Sequence, residues 1–247
     1  MILVGQSLTW HSGRLAEAVR RRQAAPVIAR AIRQVEAGAD ALDLNAGIEG
    51  NARDLVWVAR TLRKAGLGLP LWLDAGDPHV LLDVAKRISG PVVLNALPVG
   101  YDERTWEAAY LEAVADLEIG LVISPRIVPV RGYERALPAY LEGAEYAVER
   151  ASYAGIGECY LDALAYPVTT HPANTEAALT MLAAYRDEDL SAIPLFAVGN
   201  VTHGAPPGNA PAIRAAYTRR AVEAGAGALI LPVEDEGLVA IARGRAP

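Results

Sequence analysis

Short runs of apolar residues recur along the chain, each followed by a longer stretch in which apolar and polar positions alternate at helical spacing. The runs predict strands at Ile2–Leu8, Ala41–Asn45, Leu69–Asp74, Val92–Leu97, Gly120–Ser124, Glu158–Leu164, Leu195–Asn200 and Ala228–Val233. The stretches between them predict helices at Pro26–Ala37, Asn51–Lys64, Pro78–Ile88, Glu103–Leu117, Glu134–Ser152, Pro172–Arg186, Ala210–Ala224 and Glu236–Arg243. Pro26 and Pro172 stand where a helix can start, and Gly38 and Gly225 follow helices as C-cap candidates. Leu8–Ala25 is long for one connection and is expected to carry an extra turn. Strands this apolar belong in a parallel sheet covered on both faces. Eight strand–helix units in 247 residues, about 31 residues each, predict one domain over residues 1–247, an α/β chain folded as a (β/α)8 TIM barrel. An open doubly wound sheet is the competing architecture, but the first strand lacks its Gly-rich dinucleotide turn.

In such a barrel the loops at the C-terminal ends of the strands share one mouth, so the residues that close each apolar run are the candidates for chemistry. They are Asp43 and Asn45 on the second strand, Asp74 on the third, Asn95 on the fourth, Asp162 on the sixth and Asn200 on the seventh. Any one Asx residue could cap the following helix or pin its own loop. Equivalent placement on five strands favours a shared site. Carboxylates and amides without cations suit a flat heterocycle rich in N–H donors and suit a phosphate poorly.

Composition narrows the chemistry. There are 23 basic and 29 acidic side chains, a net charge of −6, and only two of the basic residues are lysine. Lys64 and Lys86 both fall near predicted helix C-termini, away from the strand ends where a Schiff-base lysine is needed. The single cysteine, Cys159, excludes a disulfide framework and reads as a buried inert thiol. His11, His79, His171 and His203 follow strands singly, without the paired spacing of a metal site, so no metal is expected; His11 and His203 are pocket-lining candidates. After the last strand, Pro232-Val-Glu234-Asp235-Glu236 repels anions. The acidic balance, the lack of a basic tract and the lack of a long apolar run or signal segment predict a cytoplasmic protein that binds neither nucleic acid nor membrane.

The segments Glu36-Ala-Gly-Ala-Asp-Ala-Leu-Asp43-Leu-Asn45-Ala-Gly, Leu73-Asp74, Leu94-Asn95, Tyr160-Leu-Asp162 and Gly199-Asn200-Val201 resemble the pterin-binding methyltransferases, relatives of the dihydropteroate synthases. The likeness runs over nearly the whole chain. It implies transfer of a methyl group between N5 of methyltetrahydrofolate and the cobalt of a corrinoid (cobalamin) carried by a separate protein. It further implies that Asp162 accepts from the pterin N3–H and 2-amino group, and that Asp74 and Asn95 serve the ring's other nitrogen edge. Asn200 would lie beside O4 and N5 as the catalytic amide, with Asp43 at the pocket floor and Asn45 near the mouth. The implied assembly is a homodimer on which a corrinoid-binding protein docks. Where the family has a Gly-Glu-Arg-x-Asn-like run, this chain reads Gly5-Gln6-Ser7-Leu8-Thr9. Asp77-Pro78-His79 begins like a cobalamin-binding motif, but Leu82 stands at its glycine position. Two other readings stay open. One is a pterin-binding or corrinoid-partner module without catalysis; the other is a dihydropteroate synthase, although its lysine and its Ser-x-Arg-like run are missing. Arg104, Arg126 and Arg131 are candidates for meeting a folate tail, or else solvated surface residues.

Overall fold

The computed structural model describes residues 1–11, 13–99, 107–125, 133–188 and 190–245. Arg104, Arg126 and Arg131 lie outside the described residues. The strands are β1 (Ile2–Thr9), β2 (Ala41–Asn45), β3 (Leu71–Asp74), β4 (Val92–Val99), β5 (Gly120–Pro125), β6 (Cys159–Asp162), β7 (Ile193–Ala197) and β8 (Ala228–Leu231). All neighbours pair in parallel, and β8 returns to β1 to close the barrel. The helices are α1 (Gly13–Arg20), α2 (Ala24–Glu36), α3 (Ala52–Lys64), α4 (Pro78–Ala85), α5 (Glu107–Asp116), α6 (Tyr133–Tyr153), α7 (Pro172–Asp187), α8 (Ala210–Ala224) and α9 (Glu236–Ala242). The (β/α)8 barrel expected from the sequence is therefore present. The long first connection holds α1, a full helix rather than a turn.

Several boundaries move for local reasons. The sixth strand stops at Asp162 because that side chain accepts from the Leu164 amide at 2.9 Å, a turn that puts Leu164 at φ 53°. β8 stops before Pro232, whose nitrogen has no hydrogen to donate. The seventh strand ends at Ala197, and Val198–Thr202 forms a 3₁₀ turn. Asn200 thus sits beyond the strand rather than at its end. Pro26 falls inside the first turn of α2, whose first residue is Ala24, whereas Pro172 opens α7 as expected.

Side chains alternate between two cores. The outer core fills the space between strands and helices, with Leu3, Leu8, Leu42, Leu44, Leu73, Leu94 and Phe196 fully buried. Inside the barrel, Val4, Ala41, Trp72, Val93, Val122, Tyr160, Leu195 and Ala228 form an apolar plug, where Trp72 and Tyr160 meet at 4.6 Å between ring centroids. Cys159 is buried, and desolvation followed by the charge of Glu158 pushes its thiol up to about 11, so it stays protonated.

Arginines brace the end of the barrel opposite the mouth. Arg63 donates to the carbonyls of Leu67, Leu69, Ser89 and Pro91, and Arg60 donates twice to that of Arg87. Arg243 reaches the Met1 carbonyl and the Asp40 carboxylate. A planar fork of donors spans several carbonyls at once, which an ammonium cannot do. No helix among the described residues is long and apolar enough to cross a membrane.

Candidate active site

Two residues beyond the apolar plug, the barrel interior changes character. Ala41 is followed inward by Asp43 and Asn45, Trp72 by Asp74, Val93 by Asn95, Val122 by Ser124, and Tyr160 by Asp162. Together with Gln6, Thr9, His11, Ala96, Ala197, Gly199, Asn200 and Ile230 they line one cavity of about 410 Å³ at the C-terminal ends of the strands. That volume lies within the usual range for small-molecule sites, about 300–1,000 Å³. All six residues singled out in the sequence, Asp43, Asn45, Asp74, Asn95, Asp162 and Asn200, face this cavity.

The carboxylates rest on neutral donors. The Asn95 amide donates to Asp43 at 3.4 Å, and Asn45 donates to Asp74 at 2.5 Å while its own oxygen accepts from the Gly47 amide at 2.9 Å. Ser124 donates to Asp162 at 3.5 Å, beside the shorter bond from the Leu164 amide. Asp43 is 3% exposed and Asn95 8%; Asp74 and Asp162 are partly open to the mouth. None of the charge-neutralising ion pairs of the described residues falls on this ring.

The electrostatic consequence is a proton-rich site. Burial raises Asp43 well above the ordinary carboxylate range, the Asp74 charge raises it further, and the Asn95 amide opposes both. Asp74 is raised to about 7 by burial and then by Asp162. Asp162 is raised to about 6 by burial, against the Leu164 and Ser124 hydrogen bonds. Near neutral pH these groups hold both donors and acceptors. That combination fits a heterocycle with mixed N–H and lone-pair edges, and it disfavours an anion.

The histidines separate. His11 lines the cavity, whereas His203, the other expected lining residue, is exposed and outside it. His79 packs edge-on against Tyr110, and His171 lies against Tyr166 just before α7. Among the described residues no His, Cys, Asp and Glu group is arranged to hold a metal ion. Lys64 ends α3 and Lys86 caps α4, away from the mouth. After β8, Ser7 donates to Glu234 at 2.8 Å and Asp235 accepts from Leu238 as the cap of α9.

Ser124 is not an Asx residue and so falls outside the strand-end pattern. Its signal was present, because it ends the Leu121-Val-Ile run as Asp162 ends Tyr160-Leu. Gln6 and Thr9 were visible only as a differing run; their inward direction comes from a bulge in β1. A wider groove of about 750 Å³ adjoins the cavity through His11, Asn45 and Asp74, walled by Trp10, Ile48 and Glu49.

The sequence matches no protein-family model and no curated protein. Solved structures do resemble it. A dihydropteroate synthase of Xanthomonas albilineans with 4-aminobenzoic acid has a TM-score of 0.71 and 20% identity, over 99% of this chain and 92% of that one. The same enzyme in complex with 7,8-dihydropteroate has a TM-score of 0.68 at 21% identity, over 99% and 91%. A dihydropteroate synthase of Coxiella burnetii in complex with pteroic acid has a TM-score of 0.67 at 16% identity, over 99% and 93%. At these identities the likeness establishes that the chain has the barrel fold of these proteins.

Proposed function

We propose that the protein is a pterin-dependent methyltransferase, which moves a methyl group between N5 of methyltetrahydrofolate and the cobalt of a corrinoid held by a separate protein. The observation that carries this reading is the uncompensated ring of Asp74, Asn95 and Asp162 with Asn200 on the same cavity. An ionised Asp162 accepts a bidentate pair from N3–H and the 2-amino group, which fixes both the affinity and the orientation of the ring. Asp74 and Asn95 serve the remaining nitrogen edge, with Asp43 beneath Asn95 and Asn45 holding Asp74. The barrel likeness to proteins solved with 7,8-dihydropteroate and pteroic acid supports a pterin as the ligand.

The chemical difficulty lies at N5, whose electron pair must be accepted as the carbon–nitrogen bond breaks. Asn200 is exposed on the 3₁₀ turn after β7, where its amide polarises N5 while leaving the methyl open to an approaching partner. The corrinoid supplies the cobalt that takes or gives the methyl group. The Asn200 amide and solvent at the open mouth supply the hydrogen bond and the proton that N5 takes up. The corrinoid-binding protein docks over the mouth, and the barrel itself works as a homodimer in the cytoplasm, in one-carbon metabolism.

Synthase chemistry is the weaker reading. It releases pyrophosphate, and the β8 side of the mouth carries Glu234 and Asp235 instead of cations. The deciding experiment is anaerobic: cob(I)alamin and methyltetrahydrofolate are mixed with the protein, and the cobalt(I) absorption is followed. Its protein-dependent loss with formation of methylcobalamin is expected. Folate binding without methyl transfer would support a non-catalytic pterin-binding module and overturn the transferase reading.

A further inference from the structure

β1 carries a bulge whose consequence is chemical. Val4 and Gly5 pair with Ala41 and Leu42, and Leu8 and Thr9 pair with Leu44 and Asn45. Gln6 and Ser7 together therefore oppose the single residue Asp43. The extra residue resets the alternation, so that Leu8 joins the outer core while both Gln6 and Thr9 face the cavity. Ser7, displaced from the ladder, donates its amide to Gln34 at 2.9 Å, and Gln34 is fully buried under Gly5. A Cβ on Gly5 would stand 2.5 Å from the Gln34 oxygen, so glycine is required there by space. Thr9 closes the bulge by donating to the Gln6 carbonyl at 2.9 Å.

The Gln6 side chain then reaches across β8 to the turn after β7. A Cβ on Gly199 would collide with the Gln6 amide, 2.7 Å from its nitrogen. Gly199 does not have a positive φ, so its backbone makes no demand for glycine. The end of the Gln6 side chain lies against it, next to Asn200. No side-chain hydrogen bond within the described residues engages the Gln6 amide, although Asp43, Asp74, Asn95 and Asp162 each make one. A polar side chain on the cavity wall, with its donors and acceptor unspent, is available to a ligand.

We propose that Gln6 is a ligand-binding residue whose amide donates a hydrogen bond to the pterin edge that carries O4 and N5, beside Asn200. Gln34 is the positioning residue that holds the bulge. The proposal rests on the pterin reading of the cavity. That edge presents only acceptors once N5 is methylated, and the cavity is already rich in carboxylate acceptors. The Asn45, Asn95 and Ser124 donors are spent on those carboxylates, so an unspent donor beside Asn200 gives glutamine at this position a reason.

The test is titration calorimetry with 5-methyltetrahydrofolate at pH 8 on the parent protein, Gln6→Met and Gln6→Glu, with thermal melts as the check on folding. Methionine keeps the packing against Gly199 without a donor, and is expected to weaken binding about three- to tenfold. Glutamate keeps the shape but only accepts, and is expected to weaken binding more than methionine does. Gln6→Asn, too short to reach, should match methionine and serves if either variant fails to fold. Equal affinity for parent and Gln6→Met, or a Gln6→Glu protein that binds as well as the parent, overturns the role of Gln6 and leaves the pterin reading standing. Absence of binding by the parent itself overturns the pterin reading, and this proposal with it.

Discussion

The same strands build two layers of the barrel interior with opposite chemistry, one above the other. The plug of Val4, Trp72, Val93, Val122 and Tyr160 is apolar and tightly buried. One inward position further along, Asp43, Asp74, Asn95, Ser124 and Asp162 crowd carboxylates and amides around an open cavity. The first layer stabilises the fold, because every buried apolar group is removed from water at no cost in unpaired polar groups. The second layer costs stability, because burial and mutual repulsion disfavour its charged forms. Stability is thus concentrated at one level of the barrel, and the candidate binding groups at the next.

This contrast can be broken most forcefully from below. Trp72→Ala empties the plug beside Tyr160 and is expected to cost about 3–5 kcal/mol, measured by denaturant unfolding. The matching change above, Asp162→Ala, should leave stability equal or higher while weakening methyltetrahydrofolate binding roughly 100-fold, measured by calorimetry. Unchanged binding would sink the assignment of Asp162 to the pterin.

Asn200→Ala separates holding from reacting. Binding should change by less than about threefold, while single-turnover methyl transfer slows roughly 10- to 100-fold. An unchanged transfer rate would remove Asn200 from the chemistry.

The smallest effects are those of protons. Asp74 is near 3.8 when unfolded and about 7 when folded, so the native state binds more protons across that window. Stability of the ligand-free protein should therefore fall as pH rises from about 4 to about 7. Asp74→Asn removes this loss, and should be more stable than the parent at pH 8 by on the order of 1–2 kcal/mol, with the advantage fading towards pH 4. A constant difference across the range would show that the carboxylate is not uncompensated. Binding follows the opposite sign. On the proposed function Asp162 is ionised when it accepts from N3–H, so affinity should be flat above about 6 and drop up to about tenfold per pH unit below it.

Particular residues show how far the chain could be read directly. Ala41–Asn45 and Ala210–Ala224 have the same boundaries in sequence and structure, because alternation, flanking glycine and helical spacing are all local signals. Asp43, Asn45, Asp74, Asn95 and Asp162 are legible for the same reason: in a barrel, a polar residue that closes an apolar run has one place to go. Misreadings arose where a side chain or a turn acts over a distance. The Asp162–Leu164 bond ended a strand early, and the 3₁₀ turn carried Asn200 past the end of β7. Ser124 gained its place from Asp162 on the neighbouring strand.

By itself the sequence determined the barrel, its apolar levels and the polar identity of its mouth, since hydrophobic periodicity decides which residues leave water. Only the tertiary structure decided which of those polar residues touch, how strongly burial shifts them, and that Gln6 and Thr9 turn inward. A bulge held by Gln34, distant in sequence and adjacent in space, sets that direction. No periodicity within β1 encodes a contact made from another helix.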